Sequence, residues 1–201
     1  MKNRISFNIV VEDDLSASVV RRLCRETGRS IGDVRVAHGF GFIKKNINAF
    51  NKAARITPYL VLTDLDKGDC PASLWNEWTG SSDRNGNLLF RVAVREVESW
   101  LLGDAESLRS YLHVKKEVFW QNSDAINDPK SELLTLAFRS GKREIREAVV
   151  IKDDRRGLVQ GPLYNPTLSG YVNREWNLAV AMTHSDSLKR AVYRLKTFKP
   201  E

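Results

Sequence analysis

Five acidic side chains stand where a sequence of this pattern could do chemistry. Glu12 ends the apolar run "ISFNIVV", Asp64 and Asp66 end "YLVLTDLDKGDC", and Glu96 and Glu98 follow "LLFRVAV". Carboxylates gathered at one place repel unless something positive lies between them. Magnesium or manganese is the natural counter-charge, because these hard cations take carboxylate oxygens and keep waters and substrate phosphates as further ligands. Such an ion polarises a phosphodiester and activates water. Glu96 and Glu98 are two apart and share no helix face, so both serve only if a helix starts between them or just after them. Simpler roles stand beside this one. Asp13 or Asp14 caps the following helix, Asp69 caps a helix opening at Pro71, and Glu98 sits in a solvated first turn. In "DLD" the leucine anchors the loop to the core.

The elements that must position these acids read as alternating strands and helices. Strands are expected over residues 5–11, 34–37, 59–63 and 88–94. Helices are expected over 15–28, 43–55, from Pro71, and in "REVESWLLGD". Residues 59–63 are apolar on both faces, as in the middle of a parallel sheet. This alternation predicts an α/β, three-layer domain over 1–110 with a mainly parallel central sheet. Open sheets of this kind place their sites beyond the carboxyl ends of the strands, where the acids lie. Residues 111–201 read as a helical extension. It holds "NDPKSELLTLAF" with Asp128 as cap and Pro129 just inside, a helix at 142–149, "REWNLAVAM", and a basic C-terminal helix "DSLKRAVYRLKTF". Residues 153–170, rich in charge, glycine and proline, are expected to form a loop.

Composition sets the outer limits. The chain has 201 residues, 42% hydrophobic and 28% charged, enough for a filled core. Two cysteines are too few for a disulfide framework, and three scattered histidines do not suggest a zinc site. With no signal peptide and no membrane span, a reduced cytoplasmic location is expected. The net charge of +7 suits a polyanion such as DNA or RNA. Candidate phosphate contacts are Lys44 and Lys45 after the "GFGF" loop, Arg95, Arg155 and Arg156, and Lys189, Arg190 and Arg194 near the C-terminus. Each basic group also reads as a solvated helix face. Phe40 and Phe42 read as core more often than as stacking platforms, and the five tryptophans read mainly as core, with Trp100 orienting its helix.

The order of acids, Glu after the first strand, Asp-x-Asp after a later one and an acidic pair after the next, resembles a Toprim domain. It is most similar to a bacterial Toprim-like family, domain of unknown function 4276, related to nucleases of the overcoming-lysogenization-defect type. "REVESWLLGD" stands for that family's "His-Glu-x-Glu-Ala-Leu-Leu-x-x-Asp", with Asp104 as the trailing aspartate. The resemblance covers roughly 5–110. It implies a magnesium- or manganese-dependent nuclease, with Glu12, Asp64, Asp66 and Glu96 catalytic and Glu98 joining them as metal ligands. It also implies a role in phage or plasmid defence and an ATPase partner. Two departures stand out: Asp13 replaces the glycine that usually follows the first glutamate, and Arg95 replaces the histidine. The alternative is a catalytically inactive Toprim-like module that binds nucleic acid or protein. Receiver domains share acids at Asp13, Asp14 and Asp64 but want a hydroxyl residue where "AVRE" stands. The haloacid-dehalogenase pattern resembles "DLDKG" but belongs on the opening strand.

Overall fold

The computed structural model describes residues 5–68 and 70–201. Four strands, β1 (Ser6–Val11), β2 (Ser30–Val36), β3 (Tyr59–Asp64) and β4 (Leu88–Ala93), form one sheet in the order β2-β1-β3-β4, every pair parallel. Parallel neighbours require crossovers, which here are α1 (Asp14–Glu26), α2 (Phe40–Ala53) and α3 (Pro71–Thr79). The pleat sorts side chains by alternation. Phe7, Ile9, Leu60, Leu62, Leu89 and Ala93 enter one core, while Val10, Val61, Leu88 and Phe90 enter another with Ile43, Ile47 and Trp75. Both faces are covered, which gives three layers.

Beyond β4 come α4 (Val97–Leu102), α5 (Ala105–Tyr111), α6 (Pro129–Phe138), α7 (Arg143–Val149), α8 (Tyr164–Arg174), α9 (Leu178–His184) and α10 (Asp186–Thr197). Asp128 caps α6 by accepting from the Ser131 N–H at 2.8 Å, with Pro129 in the first turn. The larger core runs without a break from Phe7 to Phe198. Polar stitches join the same parts. Arg22 donates to the carbonyls of Val172 and Trp176, and Arg29 to those of Leu195, Lys196 and Phe198.

Three local expectations are corrected. The segment 153–170 is not a loop. It holds a hairpin of β5 (Val150–Asp153) and β6 (Gly157–Gln160) and then most of α8. Asp153 accepts from the N–H groups of Arg155 and Arg156, and Gly157 supplies the positive φ of 78° that closes the turn. Pro166 is tolerated because it lies in the first turn of α8. The "GFGF" segment is helical from Phe40, with Gly39 at φ 116° before it. Strand β2 begins at Ser30, earlier than expected, because its backbone pairs with Ser6 of β1. No described helix is long and apolar enough to cross a membrane.

Candidate functional site

The carboxyl ends of β1, β3 and β4 carry the acids, and the backbone explains how each is held. Glu12 follows β1 directly. Its Oε1 accepts from the Thr63 hydroxyl and from the Asp64 N–H at 2.9 Å, which ties β1 to the end of β3. Asp64 is the last residue of β3, and its Oδ1 accepts from the Val97 N–H at 3.0 Å. That N–H belongs to the first turn of α4, so Asp64 satisfies a helix terminus from another element.

Helix α4 begins at Val97, between the two glutamates. Glu96 is its N-cap residue and Glu98 lies in its first turn. The carboxylate of Glu96 reaches the start of α6, where Oε2 accepts from the Lys130 N–H at 3.0 Å. Glu98 is 2% exposed, which corrects the solvated reading of that turn. Its Oε1 accepts from the Tyr164 hydroxyl at 2.9 Å.

Leu65 is buried, and its N–H bonds to the carbonyls of Ala93 and Arg95 at 2.9 Å. Asp66 takes φ 50°, a left-handed conformation that aspartate tolerates, and its side chain is exposed. Its charge lies near enough to Glu12 to raise that group's pKa. Asp13 caps α1 through the Ser16 N–H at 2.7 Å and also acts on Glu12 and Asp64. The expected cap at Asp69 lies outside the described residues. Cys70 precedes α3 without a side-chain cap.

Burial and mutual repulsion hold the carboxyls above their usual range. For Glu12 burial is the main cause, against the hydrogen bonds from Thr63 and Asp64, with Asp66 and Asp13 adding to the rise. Asp64 is pushed well up by burial, then by Glu98 and Glu12, while Lys130 opposes. Glu98 rises through burial, with Lys130 opposing and Glu96 adding.

Lys130 is the positive partner that the sequence reading did not find. Its Nζ lies 3.5 Å from Glu96 Oε1 and 3.6 Å from Glu98 Oε1. Burial pulls the ammonium down, but Glu98, Glu96, Asp64 and Asp13 outweigh it, so its pKa rises. A signal existed in "DPK". A lysine in the first turn of a helix sits at the positive end of the macrodipole, an unfavourable place unless acids surround it. Tyr164 lies in the segment expected to be a loop, and its contact with Glu98 spans 66 positions. Thr63 read as one more strand residue.

Among the described residues, no three His, Cys, Asp or Glu side chains already converge as a metal cage. The donor set nevertheless fits magnesium or manganese. These ions are commonly held by one or two carboxylates plus waters and substrate phosphates, without a closed protein cage. No hydrogen bond among the described residues engages Glu12 Oε2 or Asp64 Oδ2.

The expected phosphate contacts scatter. Arg95 braces the Asp66 loop, donating to the carbonyls of Asp66 at 3.3 Å and Gly68 at 2.8 Å. Lys44 pairs with Glu77 at 2.7 Å, and Lys45 is exposed on α2. Arg155 and Arg156 form the β5–β6 turn, Arg156 pairing with Asp153 at 3.1 Å. Lys189, Arg190 and Arg194 are exposed on α10. Phe40 and Phe42 are 48% and 38% exposed, so neither is core. Trp100 is buried on α4 and donates to Ser187 at 2.7 Å. Asp104 accepts from the Asn177 N–H at 2.7 Å and from Tyr171, which gives it a structural role away from the other acids.

No protein-family model, no curated protein and no solved structure matches the chain.

Proposed function

We propose that this protein is a Toprim-like, magnesium- or manganese-dependent phosphodiesterase acting on DNA or RNA. The observation that carries the reading is the position of Asp64 at the carboxyl edge of a parallel sheet. Its N–H holds Glu12, its carboxyl is pushed up by the charges of Glu98 and Glu12, and no hydrogen bond among the described residues engages its Oδ2. Glu12 and Asp64 are the first candidates to hold the ion, with Asp66 on the exposed side and Glu96 and Glu98 behind. A divalent ion bound there supplies Lewis-acid polarisation of the phosphate and a more acidic water.

The chain's own groups do the rest. Thr63 and the Asp64 N–H fix Glu12 through Oε1, which leaves Oε2 to face the ion. Burial raises the Glu12 pKa, so a bound ion competes with a proton for that carboxylate. Lys130 balances Glu96 and Glu98 and adds positive charge where a phosphate approaches. Tyr164 donates to the same Glu98 oxygen that Lys130 approaches.

The test is incubation of purified protein with labelled DNA and RNA, with magnesium, manganese or EDTA. Cleavage that needs the ion and is lost in Asp64→Asn and Glu12→Gln supports the reading. Cleavage at full rate in both variants contradicts it. A second reading, a binding module without catalysis, is favoured by Lys130, which already supplies positive charge to the acids. It predicts metal-independent nucleic-acid binding and no cleavage.

A further inference from the structure

A second charged site lies along the outer edge of β4. Strand β4 ends the sheet, paired on one side only, with β3. Between α3 and α10 this edge borders an open cavity of about 700 Å³. Arg84, Arg91 and Arg190 line it, and Arg194 stands one helical turn beyond Arg190 on the same face of α10. The four come from three separate segments: the loop before β4, β4 itself, and α10.

The guanidinium groups of Arg84, Arg91 and Arg194 repel one another. Burial pushes the Arg91 pKa down to about 10, and Arg84 and Arg194 add to the fall. Arg84 is lowered by burial and by Arg194. Arg84 and Arg91 stay charged at neutral pH all the same. Among the described residues none of the four lies within salt-bridge distance of a carboxylate. Arg91 uses Nε on its neighbour's carbonyl at 2.6 Å, and Arg84 lies over the Trp75 ring at 5.7 Å. Two acids line the cavity. Asp124 is already occupied, accepting from Ser185 and from both the N–H and the hydroxyl of Ser187. Asp186 is exposed in the first turn of α10. Converging, unpaired arginines in a concave site are a chemistry that selects phosphate oxygens.

We propose that the β4-edge groove formed by Arg84, Arg91, Arg190 and Arg194 binds successive phosphates of a nucleic-acid strand. The cavity is open, and its arginines come from three separate segments, which suits several phosphates of one chain better than a single one. Its lining reaches Val94, two positions before Glu96, so a strand held there leads toward the acidic site. Binding in this groove does not depend on a metal at the carboxylates.

The experiment is fluorescence anisotropy of labelled single-stranded and duplex DNA in EDTA over a salt series. With EDTA present, failure of the metal-site reading leaves this test intact. Arg190→Gln combined with Arg194→Gln is expected to weaken binding by about threefold to tenfold per contact. The slope of log affinity against log salt should fall by about 0.9 per lost contact on duplex DNA, or about 0.7 on a single strand. Both side chains are exposed, so the fold is not at stake. Arg91→Gln should act in the same direction, with partial rescue by Arg91→Lys. Arg143→Gln removes one positive charge, paired with Glu147 on exposed α7, and should leave the slope unchanged. Equal weakening by groove and control variants overturns the proposal. So does displacement of the strand by inorganic phosphate or a mononucleotide at the affinity of the strand itself, which would mark a pocket for a single phosphate compound.

Discussion

The ammonium of half-buried Lys130 stands 3.6 Å from the carboxylate of buried Glu98, a pair joining the first turn of α6 to the first turn of α4. Through it the helical C-terminal part of the chain reaches into the acidic edge of the sheet. Glu96 makes the same connection twice, from Oε1 to the ammonium and from Oε2 to the Lys130 backbone. The acids therefore depend on residues far beyond the opening α/β segment.

Removing that positive charge should be costly. Lys130→Met leaves Glu98 buried without its counter-ion, and a loss of about 2–4 kcal/mol is expected in urea unfolding with EDTA present. Magnesium should restore part of the loss, because the acids then gain another cation. A variant as stable as wild type would show that Glu98 is neutral or otherwise compensated.

Asp64→Asn should separate stability from activity. The amide oxygen keeps the bond from the Val97 N–H and removes a charge crowded by Glu12 and Glu98. A carboxyl whose pKa is raised on folding takes up protons as the chain folds. Stability therefore falls as pH rises from the ordinary carboxylate range through the raised folded value. In EDTA at pH 7 the variant is expected to be more stable than wild type by on the order of 1 kcal/mol. The difference should close near pH 4, where the ordinary carboxyl also protonates. Denaturant titrations across that range measure it. A gap that persists at low pH would contradict the assignment.

The two cysteines offer an independent check on the packing. Cys24 is buried against the sheet and burial pushes its thiol up to about 11, while Cys70 is exposed. At pH 8 a disulfide reagent should modify Cys70 quickly and Cys24 only after unfolding. The protonated thiol favours the fold fully below the ordinary thiol range, a contribution lost as pH rises toward 11. Rapid reaction of both thiols in the native protein would contradict this placement of α1.

Local signals were readable where local physics decides. The apolar run at Tyr59–Asp64 and the alternation around it reveal the sheet, because burial on both faces leaves a compositional trace. Proline in the first turn marks α3 and α6. The segment 153–170 misleads because its glycines and prolines serve a hairpin turn and a helix start, positions where composition looks the same as in a loop. At the site, the acids are visible as strand ends. Lys130 and Tyr164 are not, since their partners lie 32 and 66 positions away, a pairing that only tertiary structure makes. The β4-edge arginines are dispersed for the same reason. Of the four, only Arg190 and Arg194 stand out, as part of a basic helix.

Whether the edge formed by Glu12 and Asp64 holds a divalent cation is read from the anomalous difference density of crystals soaked in manganese. A peak bound by Glu12 and Asp64 at about 2.0–2.3 Å is expected. A structure at saturating manganese with no peak at these carboxylates, and with Lys130 still paired to Glu96 and Glu98, would contradict it.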